Sequence, residues 1–256
     1  MSSLNEDSTI IKNIEKSKSD NFDCLIKILT NGIKALLVCD PDSDKSSAAL
    51  SINVGSLTDS PDDLGLAHFC EHLLFMGTEK YPDENDYKDY LSKNVGASNA
   101  FTKLDKTVYY FFVNNTAFEG ALDRFAQFFI SSKFSESSVE REINAINSEF
   151  SKNKNNEIRR FQQLFKLQLK PPFCQFTTGN IQTLSHPDIR ERLLKMYNKY
   201  YSSEIMNLCI YSNMPLDTQI NLVEKLFKDV PKRENFEMPN YNKIKPYDEN
   251  DLSYFY

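Results

Sequence analysis

Two histidines and one glutamate stand within five residues, at His68, Glu71 and His72, and the only other histidine of the chain is His186. Residues 64–76 lack proline and are rich in Leu, Ala, Phe and Met, which predicts one helix. At about 100° per residue, His68 and His72 lie about 40° apart and one turn from each other, with Glu71 within about 100° of both. Two imidazoles and a carboxylate therefore share one side of a helix.

This pattern is typical of a catalytic zinc site. Neutral imidazole is a preferred zinc ligand, and a catalytic zinc needs three protein ligands plus an open position for water. The helix is apolar almost all the way round, as a buried helix is, and burying these polar groups without partners is costly. We expect His68 and His72 to bind zinc and Glu71 to act as the base, although patterns of five residues also arise by chance.

The order H-x-x-E-H is the signature of the inverzincins, in which a carboxylate on a second helix completes the site. Residues 139–152 predict such a helix from the spacing of their apolar residues, with a capping box at Ser137 and Glu140. Glu142 and Glu149 lie within about 20° of each other, because seven residues make nearly two turns, and both flank the apolar stripe. The pattern alone leaves open whether they face solvent or a metal.

Further short stretches form a series along the chain: 68–78, 81–82, 98–102, 120–129, 141–149, 179–180 and 200–203. In this order they resemble the N-terminal domain of the insulinase and pitrilysin-type zinc metallopeptidases. The resemblance implies zinc bound by His68, His72 and Glu149, with Glu71 as general base. It also implies that Glu142 supports the site as a nearby carboxylate.

The resemblance also implies where substrate binds. In the family, a peptide adds a strand to a sheet edge close to the zinc, and residues 98–102 match that segment. Asn99, Ala100, Phe101 and Phe75 are the expected substrate contacts. Two other interpretations stay open: Asn99 caps a bend, and the two phenylalanines belong to the core.

The implied function is that of a zinc-dependent metalloendopeptidase for short or unfolded polypeptides. One alternative is a mitochondrial-type processing or presequence peptidase, although the N-terminus lacks an Arg-rich transit segment. The other is a non-catalytic scaffold subunit, which would have lost a ligand or the base. Family members close the substrate chamber with further C-terminal domains, so we expect those domains as partners and weak activity from this chain alone.

Composition limits which binding partners and which cellular compartment we expect for the protein. The net charge of −6 comes from interspersed acidic and basic residues without a basic stripe, which disfavours nucleic acid. No apolar run approaches the length that spans a bilayer, so we expect no membrane partner. Five widely spaced cysteines and the absence of a signal-peptide pattern favour reduced thiols in the cytoplasm.

The sequence predicts an α+β fold, and the family implies a mainly antiparallel sheet with helices packed on it. Asn31-Gly32 between two β-like runs predicts a hairpin. We expect a polar arm at 1–20, a catalytic domain at 21–230, and a linker with the start of a truncated second domain at 231–256. The predicted strands are 22–29, 33–38, 48–54, 97–102, 108–113 and 207–211. The other predicted helices are 85–94, 117–130, 158–169, 187–200 and 216–227.

Overall fold

The computed structural model describes residues 9–12, 14–234, 240–243 and 245–247. Within them the strands are β1 (Ile10–Ile11), β2 (Asp23–Ile28), β3 (Lys34–Cys39), β4 (Lys45–Ile52), β5 (Ala97–Thr102), β6 (Thr107–Asn114) and β7 (Met206–Ser212). They form one sheet in the order β1-β2-β3-β7-β4-β6-β5. The predicted start of a second domain, at 252–256, lies outside the described residues.

The sheet is mainly antiparallel, as predicted, and only β3 and β7 pair in parallel among the described strands. Strand β7 comes last in the chain but lies in the middle of the sheet, between β3 and β4. It joins the first hairpin to the three strands near the predicted metal site. Strand β5 is left at the edge, paired with β6 alone in the part of the sheet that is described.

The predicted hairpin at Asn31-Gly32 is confirmed. Strands β2 and β3 pair antiparallel on either side of it, and Gly32 has a φ of +93°, which glycine adopts without strain. The Asn31 side chain donates hydrogen bonds to the carbonyls of Phe227 (2.8 Å) and Val230 (3.0 Å). The turn is therefore tied to the C-terminal end of the last long helix.

The helices are α1 (Leu66–Leu73), α2 (Asp86–Lys93), α3 (Phe118–Ile130), α4 (Glu136–Asn153), α5 (Glu157–Lys166), α6 (Ile181–Leu184), α7 (Ile189–Tyr200) and α8 (Leu216–Phe227). All were expected within a few residues except α6, at which no helix was predicted. Its single turn is held by a capping box between Asn180 and Thr183. None of the helices in the described part of the chain is long and apolar enough to cross a membrane.

The predicted capping box at the start of α4 is wrong. The helix begins at Glu136, and its N-cap is Ser135, whose hydroxyl accepts a hydrogen bond from the backbone N–H of Ser138 (3.2 Å). The buried residue Phe134 has a φ of +44°, outside the helical range. The chain therefore turns at Phe134, one turn earlier than the apolar spacing suggested.

An aromatic core fixes the sheet against helix α3. Strand β6 alternates, so that Tyr109 and Phe111 are buried while Tyr110 and Phe112 are exposed. Phe111 packs on the ring of Phe125 from α3, with centroids 5.2 Å apart. Such aromatic pairs add to the energy of apolar burial, so the sheet is a rigid support for the helices around the predicted metal site.

Candidate metal centre and cleft

Helix α1 is fixed at its first turn by Asp59 and two glycines. The Asp59 carboxylate accepts hydrogen bonds from the backbone N–H groups of Gly65 (3.1 Å) and Ala67 (2.9 Å). Gly65 has a φ of +93°, and a Cβ there would lie 2.3 Å from Cα of Gly179, so only glycine fits. Burial raises the pKa of Asp59 to about 7 against these two donors. These contacts set where the helix starts and how its histidines point.

His68 and His72 of α1 meet Glu149 of α4, as predicted. The Nε2 atom of each histidine lies 3.7 Å from Oε2 of Glu149, and one ligand atom from each residue lies within 4.8 Å of the others. Two ligands at about 2.0–2.1 Å from a tetrahedral zinc lie about 3.4 Å apart. The three side chains therefore fit one zinc ion after small movements.

Both histidines are oriented through their other ring nitrogen. His68 Nδ1 lies 2.7 Å from the carbonyl oxygen of Thr178, and His72 Nδ1 lies 2.9 Å from Oε2 of Glu142. A nitrogen that donates to such an acceptor leaves Nε2 free to bind a metal. Glu142 thus lies next to a predicted ligand and does not line the cleft, and its supporting role stays a prediction.

The charges of the site favour a cation between these side chains. Burial opposes a charge on His72, but hydrogen bonds to Glu142 and Glu149 outweigh it and raise the pKa of His72 to about 9. The hydrogen bond from His72 is also the main cause that holds the pKa of Glu149 below its usual value. The site therefore attracts positive charge, which a metal ion supplies in place of a proton.

Glu71 lies on the same side of α1 as the two histidines, beside the three predicted ligands. Its side chain is buried, and the Thr102 hydroxyl of β5 donates a hydrogen bond to its Oε2. Burial raises the pKa of Glu71, while Thr102 and the two histidines act in the opposite direction. A carboxylate with a raised pKa is a better proton acceptor near neutral pH, as the predicted base should be.

The metal centre opens into a cleft of about 850 Å³ between α1, α4, α5 and the edge strand β5. Three of the four predicted substrate contacts, Asn99, Ala100 and Phe101, line this cleft. The side chain of Phe101 is exposed. These three residues stay candidates for substrate binding, on the edge strand that the resemblance indicated.

The structure does not bring Phe75 to this cleft. Its ring packs among Tyr87, Tyr109 and Phe128, with centroids 5.2–6.2 Å away. Phe75 follows the C-terminal end of α1 and turns toward the sheet. It therefore packs with the core, which is one of the interpretations that the sequence left open.

Sequence reasoning missed several residues of the cleft wall. Thr102 and Thr178 contact the predicted base and one predicted ligand, and Arg159, Arg160 and Lys166 of α5 line the side of the cleft. The sequence predicted a helix at 158–169 but carried no signal for which of its faces lies toward the predicted ligands. That arrangement depends on contacts between segments distant in sequence.

Comparison with known proteins agrees with this geometry. Residues 34–180 match the family model described as insulinase (peptidase family M16), and residues 188–254 match the model described as peptidase M16 inactive domain. The human protein named insulin-degrading enzyme is 47% identical over 251 residues, which cover 95% of this chain and 24% of that protein. The yeast A-factor-processing enzyme is 48% identical over 210 residues, 79% of this chain and 20% of its own length.

Solved structures show the same fold. The crystal structure of pitrilysin superposes with a TM-score of 0.90 at 34% identity and covers 95% of this chain and 26% of that one. A protease from Helicobacter pylori shares the fold, with a TM-score of 0.77 at 19% identity, 85% of this chain and 53% of its own. The chain spans about a quarter of the length of the curated relatives it matches.

Proposed function

We propose, since this chain belongs to the insulinase family of peptidases (peptidase family M16), that it carries the catalytic centre of a zinc-dependent metalloendopeptidase. The substrates are peptide bonds of short or unfolded polypeptides. The observation that carries the proposal is the convergence of His68, His72 and Glu149 with a buried carboxylate, Glu71, beside them. Three ligands and a base in one cleft are what hydrolysis by a zinc-bound water requires.

Each residue has a distinct part in the reaction. His68, His72 and Glu149 would hold a zinc ion, which when bound lowers the pKa of a coordinated water to about 7 and polarises the scissile carbonyl. Glu71 accepts the proton of the attacking water and delivers it to the leaving amine. Glu142 keeps the His72 ring in the orientation and tautomer that present Nε2.

Strand β5 offers the substrate a place to bind. It is a sheet edge whose outer backbone groups have no strand partner among the described residues, and it runs past Glu71 through Thr102. A peptide that pairs with this edge brings its backbone to the zinc ligands, with Asn99, Ala100 and Phe101 as contacts. Because main-chain hydrogen bonds supply the affinity, this mode suits extended peptides of varied sequence.

We further propose that additional domains of the complete protein cover helix α5. None of its residues is buried, although it carries a large apolar face, which marks an interaction surface. The exposed residues of this face are Ile158, Phe161, Leu164, Phe165 and Leu167. The curated relatives are about four times as long as this chain, so the length needed to cover the face is available within one polypeptide.

Two alternatives and the compartment remain open to experiment. A non-catalytic scaffold subunit is disfavoured because none of the two histidines, Glu149 and Glu71 is missing, and one ligand atom from each of the first three lies within 4.8 Å of the others. A processing or presequence peptidase differs in substrate, and hydrolysis of Arg-rich presequence peptides compared with unrelated peptides separates it from a general peptidase. The cytoplasm stays a prediction, which cell fractionation checks.

Hydrolysis of a quenched fluorescent peptide tests the proposed function. We expect the zinc-loaded complete protein to cleave it, a chelator to stop cleavage, and Glu71→Gln to retain zinc but lower kcat by about 10² or more. Glu140→Gln is the matched control, because Glu140 is an exposed glutamate of α4 outside the cleft. A near wild-type rate in Glu71→Gln would contradict the assignment of the base.

A further inference from the structure

The charged residues that line the cleft divide into two groups. Both carboxylates, Glu71 and Glu149, belong to the metal centre. The cations are Lys154, Arg159, Arg160 and Lys166. Within the described part of the chain, none of these four lies within 4.0 Å of a carboxylate, although ion pairs occur elsewhere on the surface. A zinc ion held there would balance the two carboxylates, and the four cations would then leave the cleft with a net positive charge in a chain whose net charge is −6.

Helix α5 carries three of these cations, and two of them share one side of the helix. Arg159 and Lys166 are separated by seven residues, nearly two turns, and with Gln163 form one stripe along the cleft, while Arg160 lies about 100° away. The apolar residue Phe161 lies on the opposite side of the helix. The polar face of α5 is therefore directed at the cleft, and its positive charge belongs to the wall of the site.

The positive charges of this wall lie close enough to affect one another. Burial is the main cause that lowers the pKa of Lys166, and the neighbouring charge of Arg159 lowers it further. Like charges held close together without a carboxylate partner gain energy when an anion binds between them.

We infer that Arg159, Arg160 and Lys166 determine specificity, by selecting peptides that carry an acidic side chain close to the scissile bond. The inference rests on the proposed function and names a substrate class for that same site. A peptide paired with β5 directs alternate side chains to opposite faces, so one set faces α5 across the cleft. A glutamate or aspartate in that set meets the cationic wall, whereas the backbone pairing stays the same for every sequence.

Matched peptides that differ only by Glu or Gln at one position test this inference. The residue is placed at each position in turn along a neutral quenched peptide, and kcat/KM is measured with the complete protein at equal zinc occupancy. We expect a preference for Glu at one or more positions of about two- to fivefold for each exposed cation contacted. Raising the salt from about 0.1 M to 1 M should reduce the preference, because screening shortens the reach of exposed charges.

Substituting the cations of the wall tests whether they cause the preference for Glu peptides. The preference should fall toward unity in a protein carrying Arg159→Gln, Arg160→Gln and Lys166→Gln together, and partly in Arg160→Gln alone. Lys152→Gln is the matched control, because Lys152 is an exposed cation of α4 that does not line the cleft. Equal rates for Glu and Gln peptides at every position, or a preference that survives in the triple variant, would overturn the inference.

A binding measurement separates this inference from the proposed function. Fluorescence anisotropy of the same peptides with zinc-loaded Glu71→Gln protein reports selection by charge without any hydrolysis. Absence of cleavage by the wild-type protein would reject the peptidase proposal, while tighter binding of Glu peptides would still support the cationic wall. Equal binding of Glu and Gln peptides would reject the wall even if cleavage is observed.

Discussion

Helices α1 and α5 have similar lengths and both line the cleft, but they are held in opposite ways. Six of the eight residues of α1 are buried, whereas none of the ten residues of α5 is. The groups of α1 that would do the chemistry have partners on other segments, in Thr178, Thr102 and Glu142. The described residues therefore hold the predicted metal centre firmly through their own contacts, while the opposite wall of the cleft has no buried residue to hold it.

The two helices should therefore contribute differently to function, although they line one cleft. Catalytic groups must be held close to their productive geometry by packed neighbours, and α1 meets that condition. Regions with few buried apolar contacts open locally at low free energy, and α5 belongs to them until something covers its apolar face. Zinc binding and substrate positioning should therefore depend on different parts of the complete protein.

The largest expected difference between the two helices is in zinc content. We expect about one zinc per chain, lost on His72→Ala because two remaining ligands do not retain the ion. Arg160→Ala on α5 should keep the full content. Elemental analysis of the purified variants measures both, and undiminished zinc in His72→Ala would remove that residue from the ligand set.

Removing one phenylalanine from each helix should lower the free energy of unfolding by very different amounts. Phe69 of α1 is fully buried and Phe161 of α5 is 69% exposed. Phe69→Ala should lower the free energy of unfolding by about 3–5 kcal/mol, since it leaves a cavity. Phe161→Ala in this chain alone should change it by less than about 0.5 kcal/mol. Urea denaturation measures both values, and similar losses would show that α5 is packed more firmly than its exposure indicates.

Activity should separate from zinc binding when this chain is compared with the complete protein. The ligands lie in one domain, so the chain alone should bind zinc, but its kcat/KM should be lower by about 10² because positioning of the peptide is incomplete. The same quenched peptide at equal zinc occupancy gives the comparison. Phe161→Ser in the complete protein should lower kcat/KM in the same direction, and parity between chain and complete protein would refute the proposed role of the covering domains.

The smallest expected effect concerns the support of a ligand. Glu142→Ala should weaken zinc binding by about 10- to 100-fold, because His72 loses the acceptor that orients its ring. Competition with a fluorescent zinc chelator measures the change, with Glu140→Ala as the control on the exposed side of α4. If the two variants bind zinc equally well, Glu142 has no part in holding the site.

Much of this fold follows from local patterns in the sequence. The bounds of β5 and α8 agree with the prediction to the residue, since alternation and helical spacing are properties of short segments. The hairpin at Asn31-Gly32 follows from turn chemistry for the same reason. The N-terminus of α4 was misplaced, because the conformation of Phe134 depends on its burial in the core and not on its neighbours in sequence.

By itself the sequence determined that His68, Glu71 and His72 share one side of a helix, because their spacing and the geometry of the α-helix leave little freedom. The resemblance to a known family supplied Glu149 as the third ligand. Only the tertiary structure decided that Thr102 and Thr178 contact Glu71 and His68, that Phe75 packs in the core, and that the cations of α5 line the same cleft as the predicted ligands. Those contacts join segments far apart in the chain, and the packing of the whole domain, rather than any local pattern, selects which of them form.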